Sequence, residues 1–254
     1  MAKKGAVLTQ LLGGVLVVYL NRPGKLNALN KESLKGLKDA VRRASRDSKV
    51  KAVLFAGKGR VFSAGADLSE MRHFGEKEAL SFSRLGQGVF SKIEELKKPT
   101  LALVHGAAFG GGNELALSCD YVFATPDARF AQPEKRFALI PGFGGLYRLS
   151  RVIRSRNDLN AVLSGRTLTA RQALALGLVD ELHDAREAKT QALTFLEHAA
   201  RHDSLSMPSR KKPFTRKEKS LERKAFELEG KEFAALFKSG APQRLMKAFL
   251  ERKQ

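Results

Sequence analysis

The chain has almost no cysteine, since Cys119 is the only one among 254 residues. An intramolecular disulfide is therefore impossible, and the cysteine spacings of a structural zinc site are missing. With 43% hydrophobic residues, a chain of this length can bury a large core and needs no covalent staples to fold. This composition suits a reducing compartment.

Long apolar runs are missing as well. An early apolar stretch, Val15 to Leu20, ends at Asn21-Arg22-Pro23 and is too short to cross a membrane. No small-residue cleavage site follows it, as a secretory signal would require. We therefore expect a cytoplasmic protein without a membrane partner.

Acidic residues are outnumbered, because 46 Lys and Arg oppose 26 Asp and Glu for a formal net charge of +20. Such a field attracts polyanions, so both nucleic acid and phosphorylated ligands are candidate partners. The excess is concentrated at 148–156 and 209–224. Acids recur at helical spacings in and after the second segment, at Glu218, Glu222, Glu227 and Glu229. This pattern is typical of a solvated, salt-bridged helix face, which we favour over a nucleic-acid site because aromatic stacking platforms are missing.

The apolar pattern alternates between strand and helix periods as far as residue 124. Strands are predicted at 15–20, 50–56, 100–104 and 121–124. Helices are predicted after the capping residue Asn30, with Leu34, Leu37, Val41 and Ala44 on one face, and at 76–97 and 113–118. Strand, helix and strand in this order indicate parallel strands joined by right-handed crossovers, and therefore a layered α/β core.

The strand signal fades after Asp184. Pro208, Pro213 and Pro242 separate predicted helices, which lie at 188–201, 217–237 and 242–253. The last helix carries an apolar stripe of Leu245, Met246 and Phe249. We expect a helical appendage that packs either on its own core or on another subunit.

Two runs contain glycine turns: 62–68, Phe-Ser-Ala-Gly-Ala-Asp-Leu, and 110–114, Gly-Gly-Gly-Asn-Glu. Glycine adopts conformations closed to other residues, and the first N–H groups of a helix have no internal partner. One N–H from each run can therefore hold a developing oxyanion from two sides, although each run alone is more typical of a tight turn. No Lys-Ser or Lys-Thr follows Gly112, which excludes a P-loop, and the dinucleotide glycine spacing is missing.

Two carboxyl groups accompany these turns. Glu114 opens an apolar helix, and Glu134 follows Pro133 between two phenylalanines. Taken singly, the first is typical of an acid favoured by the helix dipole and the second of an ordinary surface acid. Two carboxyls held near one reacting centre perturb each other's titration, so one can serve as an acid and the other as a base.

In this order, the motifs resemble those of the enoyl-CoA hydratase/isomerase (crotonase) superfamily over nearly the full length of the chain. The segments that carry the resemblance are 20–23, 27–30, 62–68, 105–115, 130–134, 140–145 and 173–180. The resemblance implies an α/β fold, a spiral of ββα repeats with a C-terminal helical trimerisation region. We expect the core at 1–190 and the helical region, which covers CoA and joins subunits, at 191–254.

The resemblance also implies an acyl-CoA thioester as substrate and a homotrimer or hexamer. No metal or other cofactor is implied, since coenzyme A is part of the substrate. By the same match, the N–H groups of Ala66 and Gly111 form the oxyanion hole, Glu114 is the base on water adding at C3, and Glu134 delivers a proton at C2. The residues implied to bind substrate and CoA are Lys25, Ala64, Ala66, Asp67, Leu68, Ser69, Phe249 and Arg252.

The chain departs from the family pattern near the second acid. Ala138 stands where hydratases usually place glycine, and Lys135-Arg136 puts two cations beside Glu134. If these cations point toward Glu134 they favour its charged form and make it a poorer proton donor; the alternative is that they face solvent.

The leading hypothesis is an enoyl-CoA hydratase that converts a trans-2-enoyl-CoA into a 3-hydroxyacyl-CoA. A Δ3-Δ2 enoyl-CoA isomerase would use Glu134 without needing Glu114, so the presence of both acids favours hydration. The remaining alternatives are another acyl-CoA reaction on the same fold, such as decarboxylation or retro-Claisen cleavage, and an RNA-binding protein built on it.

Overall fold

A computed structural model describes residues 5–201 and 215–252. The strands are β1 (Val7–Leu12), β2 (Val15–Leu20), β3 (Ala52–Gly57), β4 (Thr100–Val104), β5 (Ala107–Phe109), β6 (Tyr121–Ala124), β7 (Arg129–Ala131), β8 (Leu168–Thr169) and β9 (Glu181–Leu182). The helices are α1 (Lys31–Arg46), α2 (Leu68–Met71), α3 (Glu76–Glu94), α4 (Gly111–Leu117), α5 (Gly145–Val152), α6 (Arg156–Leu163), α7 (Ala170–Ala175), α8 (Ala188–Arg201), α9 (Arg216–Leu236) and α10 (Ala241–Glu251). Two of the prolines predicted to separate helices, Pro208 and Pro213, lie outside the described residues. The last residue of the predicted helix 242–253 lies outside them as well.

The larger sheet has the strand order β1-β2-β3-β4-β6-β9. β1 is antiparallel to β2, and every other neighbouring pair is parallel. Every residue of β2 is buried, because α1 and α3 cover one face of the sheet and α8 covers the other. The predictions for β2, β4 and β6 are confirmed at both ends.

The helix α1 begins where the sequence predicts. The side chain of Asn30 accepts a hydrogen bond from Ser33 N at 2.8 Å and so satisfies one of the free donors at the helix start. The four apolar positions of the predicted face are all buried against the sheet. β3 then runs parallel to β2, as the strand–helix–strand pattern indicates.

The smaller sheet, β5-β7-β8, brings the two glycine runs together. β5 lies beside the segment that follows Phe62, through a parallel bridge between Ser63 and Ala108. Ser63 N donates to Ala107 O at 2.9 Å, and Phe109 N donates to Ser63 O at 3.0 Å. The chain after Ser63 and the chain after β5 therefore leave the sheet side by side, toward α2 and α4.

The C-terminal helices return to the core. α9 packs along α3 and α5, while α10 contacts α2 and a short 3-10 turn at Glu134–Phe137. The helical character of this region is confirmed. The division at residue 190 falls inside α8 and stays a prediction. Within the described residues, no helix has both the length and the apolar character that a membrane crossing requires.

Candidate active site

The backbones of the two glycine turns lie in close contact. Gly65 has a φ of +97°, and a Cβ on it would lie 2.6 Å from Phe109 O. A Cβ on Gly111 would lie 3.5 Å from Ala66 N, so Ala66 N and Gly111 N border one small space. Among residues 5–201 and 215–252, neither of these N–H groups donates to a protein oxygen. The pair predicted as an oxyanion hole is thus adjacent and free to donate.

Glu114 lies in α4 with 1% of its surface exposed. Its Oε1 accepts a hydrogen bond from Phe143 N at 2.9 Å. Burial raises the pKa of Glu114 well above its usual range, and the negative charges of Glu229 and Glu134 add to that rise. The Phe143 N–H and the Arg148 cation oppose it by favouring the carboxylate.

Glu134 begins the 3-10 turn and faces the first glycine of the second run. A Cβ on Gly110 would lie 2.6 Å from Glu134 Oε1, so the glycine leaves the space that this carboxyl occupies. Glu134 Oε2 is buried without a hydrogen-bond partner. Burial, supported by the charge of Glu229, raises the pKa of Glu134 to about 8. Lys135 and Arg136 are exposed, which matches the solvent-facing alternative for these two cations.

Both carboxyls line a cavity of about 70 Å³ together with Ala66 and Gly111. The rest of its lining is mostly apolar and includes Met71, Phe137, Leu139, Ile140, Phe143 and Phe233. The apolar lining explains the raised pKa values of Glu114 and Glu134, because it solvates their charged forms poorly. Within the described part of the chain, His, Cys, Asp and Glu do not gather into a group of three that could hold a metal ion.

A groove of about 540 Å³ adjoins this cavity. The two spaces share Ala64, Ala66, Leu68, Pro133 and Phe137. Of the residues expected to bind substrate and CoA, the groove is lined by Lys25, Ala64, Ala66, Asp67, Leu68, Ser69 and Phe249. Arg252 is exposed at the end of α10 and lines neither space.

Two groove residues are fixed by contacts within the chain. Asp67 accepts from Arg22 Nη1 at 2.7 Å, and it caps α2 by accepting from Ser69 N at 2.9 Å. The ring of Phe249 stands edge-on to that of Phe137, with 5.4 Å between centroids. The second contact connects the last helix to the turn that carries Glu134.

The expectation of a solvated helix face is wrong at two positions. Arg148, within the basic segment 148–156, is 2% exposed, and its Nη2 lies 2.7 Å from Glu94 Oε2. Glu229, among the regularly spaced acids, is 4% exposed. Spacing along a helix predicts which residues share a face, but the partner that covers that face comes from elsewhere in the chain.

We expect Ala138→Gly to stabilise the protein. Ala138 ends the 3-10 turn with a φ of +52°, a left-handed conformation that costs a residue with a Cβ about 1 kcal/mol. Removing that strain is expected to raise the midpoint of thermal unfolding by roughly 3 °C. Ala248→Gly, at an exposed position inside α10, is the matched control and is expected to lower the midpoint instead. A lower midpoint for Ala138→Gly would contradict the assigned strain.

Residues 11–254 match the family model described as enoyl-CoA hydratase/isomerase. The chain is 34% identical over 249 residues to the short-chain-enoyl-CoA hydratase of Clostridium acetobutylicum, covering 98% of this chain and 95% of that protein. It is 40% identical over 172 residues to the crotonyl-CoA hydratase of Syntrophomonas wolfei, covering 67% of this chain and 66% of that protein. The crystal structure of an enoyl-CoA hydratase from Bacillus halodurans superposes with a TM-score of 0.85 at 26% identity, covering 96% of this chain and 99% of that one.

The family model, the Clostridium relative and the Bacillus halodurans structure each match both the α/β core and the C-terminal helices. They confirm the expected fold and the resemblance in the sequence motifs. The chain belongs to the enoyl-CoA hydratase/isomerase family.

Proposed function

We propose that this protein is an enoyl-CoA hydratase, a hydro-lyase that adds water across the C2=C3 bond of a trans-2-enoyl-CoA. The observation that carries the proposal is the cavity. It holds two buried carboxyls and two backbone N–H groups that donate to no oxygen among the described residues. Relatives named as hydratases, matched over most of the chain, support the same reaction.

The two N–H groups, Ala66 N and Gly111 N, would bind the thioester carbonyl oxygen. As water adds to C3, the electron pair of the C2=C3 bond moves toward this oxygen and forms an enolate. Two donors held in place by the sheet and by α4 stabilise that charge without having to reorganise. In other enzymes, one such donor contributes on the order of 3 kcal/mol to the transition state.

The two carboxyls would divide the proton transfers. Glu114 as a carboxylate takes a proton from the water whose oxygen bonds to C3, and Glu134 gives its proton to C2. The pKa of about 8 keeps Glu134 protonated at neutral pH, as a donor requires. The raised pKa of Glu114 makes its ionised form a stronger base but also a smaller fraction of the carboxyl at neutral pH. The Phe143 N–H and the Arg148 cation oppose this by favouring the ionised form.

The groove would hold the CoA moiety, and its lining includes Lys25, Ala64, Ala66, Asp67, Leu68, Ser69 and Phe249. Lys25 supplies positive charge for a phosphate. Arg252 remains in the proposal as a second cation at the end of α10, exposed and one helical turn beyond Phe249.

The proposed enzyme needs no metal or other cofactor and works in the cytoplasm as a homotrimer or hexamer. Leu221 and Leu228 support self-association. They lie two helical turns apart on α9 and are 53% and 61% exposed, so one face of this helix offers apolar surface to another subunit.

The deciding experiment offers crotonyl-CoA and follows the absorbance of the conjugated thioester. A hydratase removes this absorbance, whereas a Δ3-Δ2 isomerase offered a 3-enoyl-CoA creates it. We expect loss with the first substrate at a rate proportional to enzyme concentration. If the absorbance of crotonyl-CoA does not fall at high enzyme concentration, and that of a 3-enoyl-CoA solution rises, the assigned activity would change from hydratase to isomerase.

The pH dependence of the rate tests the state of Glu134. Below about pH 8 this carboxyl holds the proton that it must donate, and above that pH it loses the proton. We therefore expect kcat/KM for crotonyl-CoA to fall above about pH 8. The loss should approach tenfold per pH unit once Glu114 is ionised as well, because only the proton on Glu134 then changes with pH. The residual rate of Glu134→Gln, which has no proton to lose there, is the control and should lack this decline. A wild-type kcat/KM that stays constant up to pH 9.5 would contradict the assignment.

A further inference from the structure

Glu229 is a buried carboxylate that belongs to none of the groups already given a role. It projects from α9, and 4% of its surface is exposed. Its Oε1 accepts from Gly144 N at 2.5 Å and from Gln87 Nε2 at 3.2 Å, and its Oε2 accepts from Leu146 N at 3.0 Å. Three N–H donors from two other elements therefore converge on one acid of the C-terminal helices.

Two of those donors lie in the segment 142–146, which leads into α5. This segment also supplies Phe143 N, the N–H that donates to Glu114 Oε1 at 2.9 Å. A Cβ on Gly145 would lie 2.6 Å from the same oxygen, so the backbone of the segment lies against the Glu114 carboxyl. Any movement of residues 143–145 therefore changes the backbone contacts that orient the Glu114 carboxyl.

Other contacts hold the segment 142–146 from the outside. Ser83 in α3 donates to Gly142 O at 2.6 Å, and Arg148 donates to Phe143 O while its guanidinium pairs with Glu94. Glu229 holds the segment at the start of α5, where it accepts from N–H groups that have no partner inside the helix and where the helix dipole favours a negative charge. The charged groups that face Glu229 are Arg148, Glu114 and Glu134.

We propose that Glu229 is a positioning residue of the hydration reaction, which fixes the segment 142–146 so that Phe143 N holds Glu114 in the orientation needed to activate water. The inference rests on the proposed function. It makes catalysis depend on the docking of α9, although the helix contributes only the apolar ring of Phe233 to the lining of the cavity. Burial raises the pKa of Glu229 while its N–H donors and Arg148 oppose that rise, so the same contacts that hold the segment also favour the charged carboxylate.

The test compares Glu229→Gln with the wild type in crotonyl-CoA hydration. Gln keeps one acceptor oxygen but presents an amide group to N–H donors on the other side, so the hold on Gly144 or Leu146 is lost. Since a small misplacement of a catalytic group can cost about 10²-fold, we expect kcat to fall by 10- to 100-fold. KM should change by less than about threefold, because no groove residue is altered. Glu227→Gln makes the same change on the same helix at an exposed carboxyl that pairs with Lys231, and it should leave kcat unchanged.

Two further measurements separate positioning from a general loss of structure. In a double-mutant cycle, Glu229→Gln should lower the residual rate of Glu114→Gln by less than threefold, because the two residues act through one group. Hydrogen–deuterium exchange at residues 143–146 should accelerate in folded Glu229→Gln and stay unchanged in Glu227→Gln.

Each outcome bears on one claim. A wild type inactive toward crotonyl-CoA would overturn the proposed function, and unchanged exchange at 143–146 in Glu229→Gln would then still overturn the positioning role. An active wild type with an unchanged kcat in Glu229→Gln would overturn the positioning role alone. Fully additive losses in the double-mutant cycle would also overturn it, because they would show that Glu229 does not act through Glu114.

Discussion

Replacing either Glu114 or Glu134 by Gln is expected to lower kcat/KM for crotonyl-CoA hydration by 10²- to 10⁴-fold, the range that general acid–base catalysis contributes. Gln keeps the size of each side chain but can neither accept the proton of water nor deliver one to C2. Both changes also remove a buried acid with a raised pKa, so the variants should remain folded. The rate is measured by the loss of thioester absorbance, and folding is checked by thermal unfolding.

Glu227→Gln is the matched control for this pair, since it removes an exposed carboxyl and should leave the rate unchanged. Combining the two active-site changes should cost less than the product of the single losses, because both act on the same transition state. Losses below tenfold in both single variants would contradict the assigned proton transfers.

Gly111→Ala is expected to lower kcat by about 10²- to 10³-fold, the size of the loss of one oxyanion-hole donor in other enzymes. The N–H of residue 111 remains, but the added Cβ would keep the thioester oxygen away from the two donors. Gly111 is the first residue of α4, where alanine suits the backbone. The added Cβ would lie 2.9 Å from Phe143 Cε2 and 3.5 Å from Ala66 N, and therefore beside the space that the thioester oxygen would fill. The side chain of Phe143 must also shift, which moves the wall of the cavity.

Gly88→Ala serves as the control for this change. Gly88 lies inside α3, and a Cβ there meets nothing within 4 Å. It should leave kcat unchanged and add slightly to stability. A kcat for Gly111→Ala within threefold of the wild type would contradict the placement of the oxyanion between Ala66 N and Gly111 N.

The long elements of the fold could be predicted from the sequence because each has a clear period. The all-apolar β2 and the one-sided α1 agree closely with the structure. β1 was not predicted, since its residues are mostly half-buried at an edge and show no alternation. β8 and β9 have only two residues each, so their pairing depends on neighbouring strands rather than on local sequence.

The candidate site also contains residues that the sequence predicts and one that it does not. Glu114 is predicted because it closes a glycine motif, and Glu134 because the order of the motifs resembles that of the family. The structure brings both to one cavity. Glu229 is not predicted, because its helical spacing is the same as that of exposed acids nearby. Its burial depends on Gln87, Gly144 and Leu146, residues 83 to 142 positions away along the chain. The sequence offers no local signal for such a contact.

The most direct test of the central claim is the reaction of the wild type with crotonyl-CoA in water enriched in ¹⁸O, followed by mass spectrometry of the product. The account predicts 3-hydroxybutyryl-CoA that carries one ¹⁸O in the hydroxyl at C3, formed by the wild type and reduced at least 10²-fold in Glu114→Gln. Crotonyl-CoA recovered unchanged at high enzyme concentration, or label incorporated at the wild-type rate by Glu114→Gln, would contradict it.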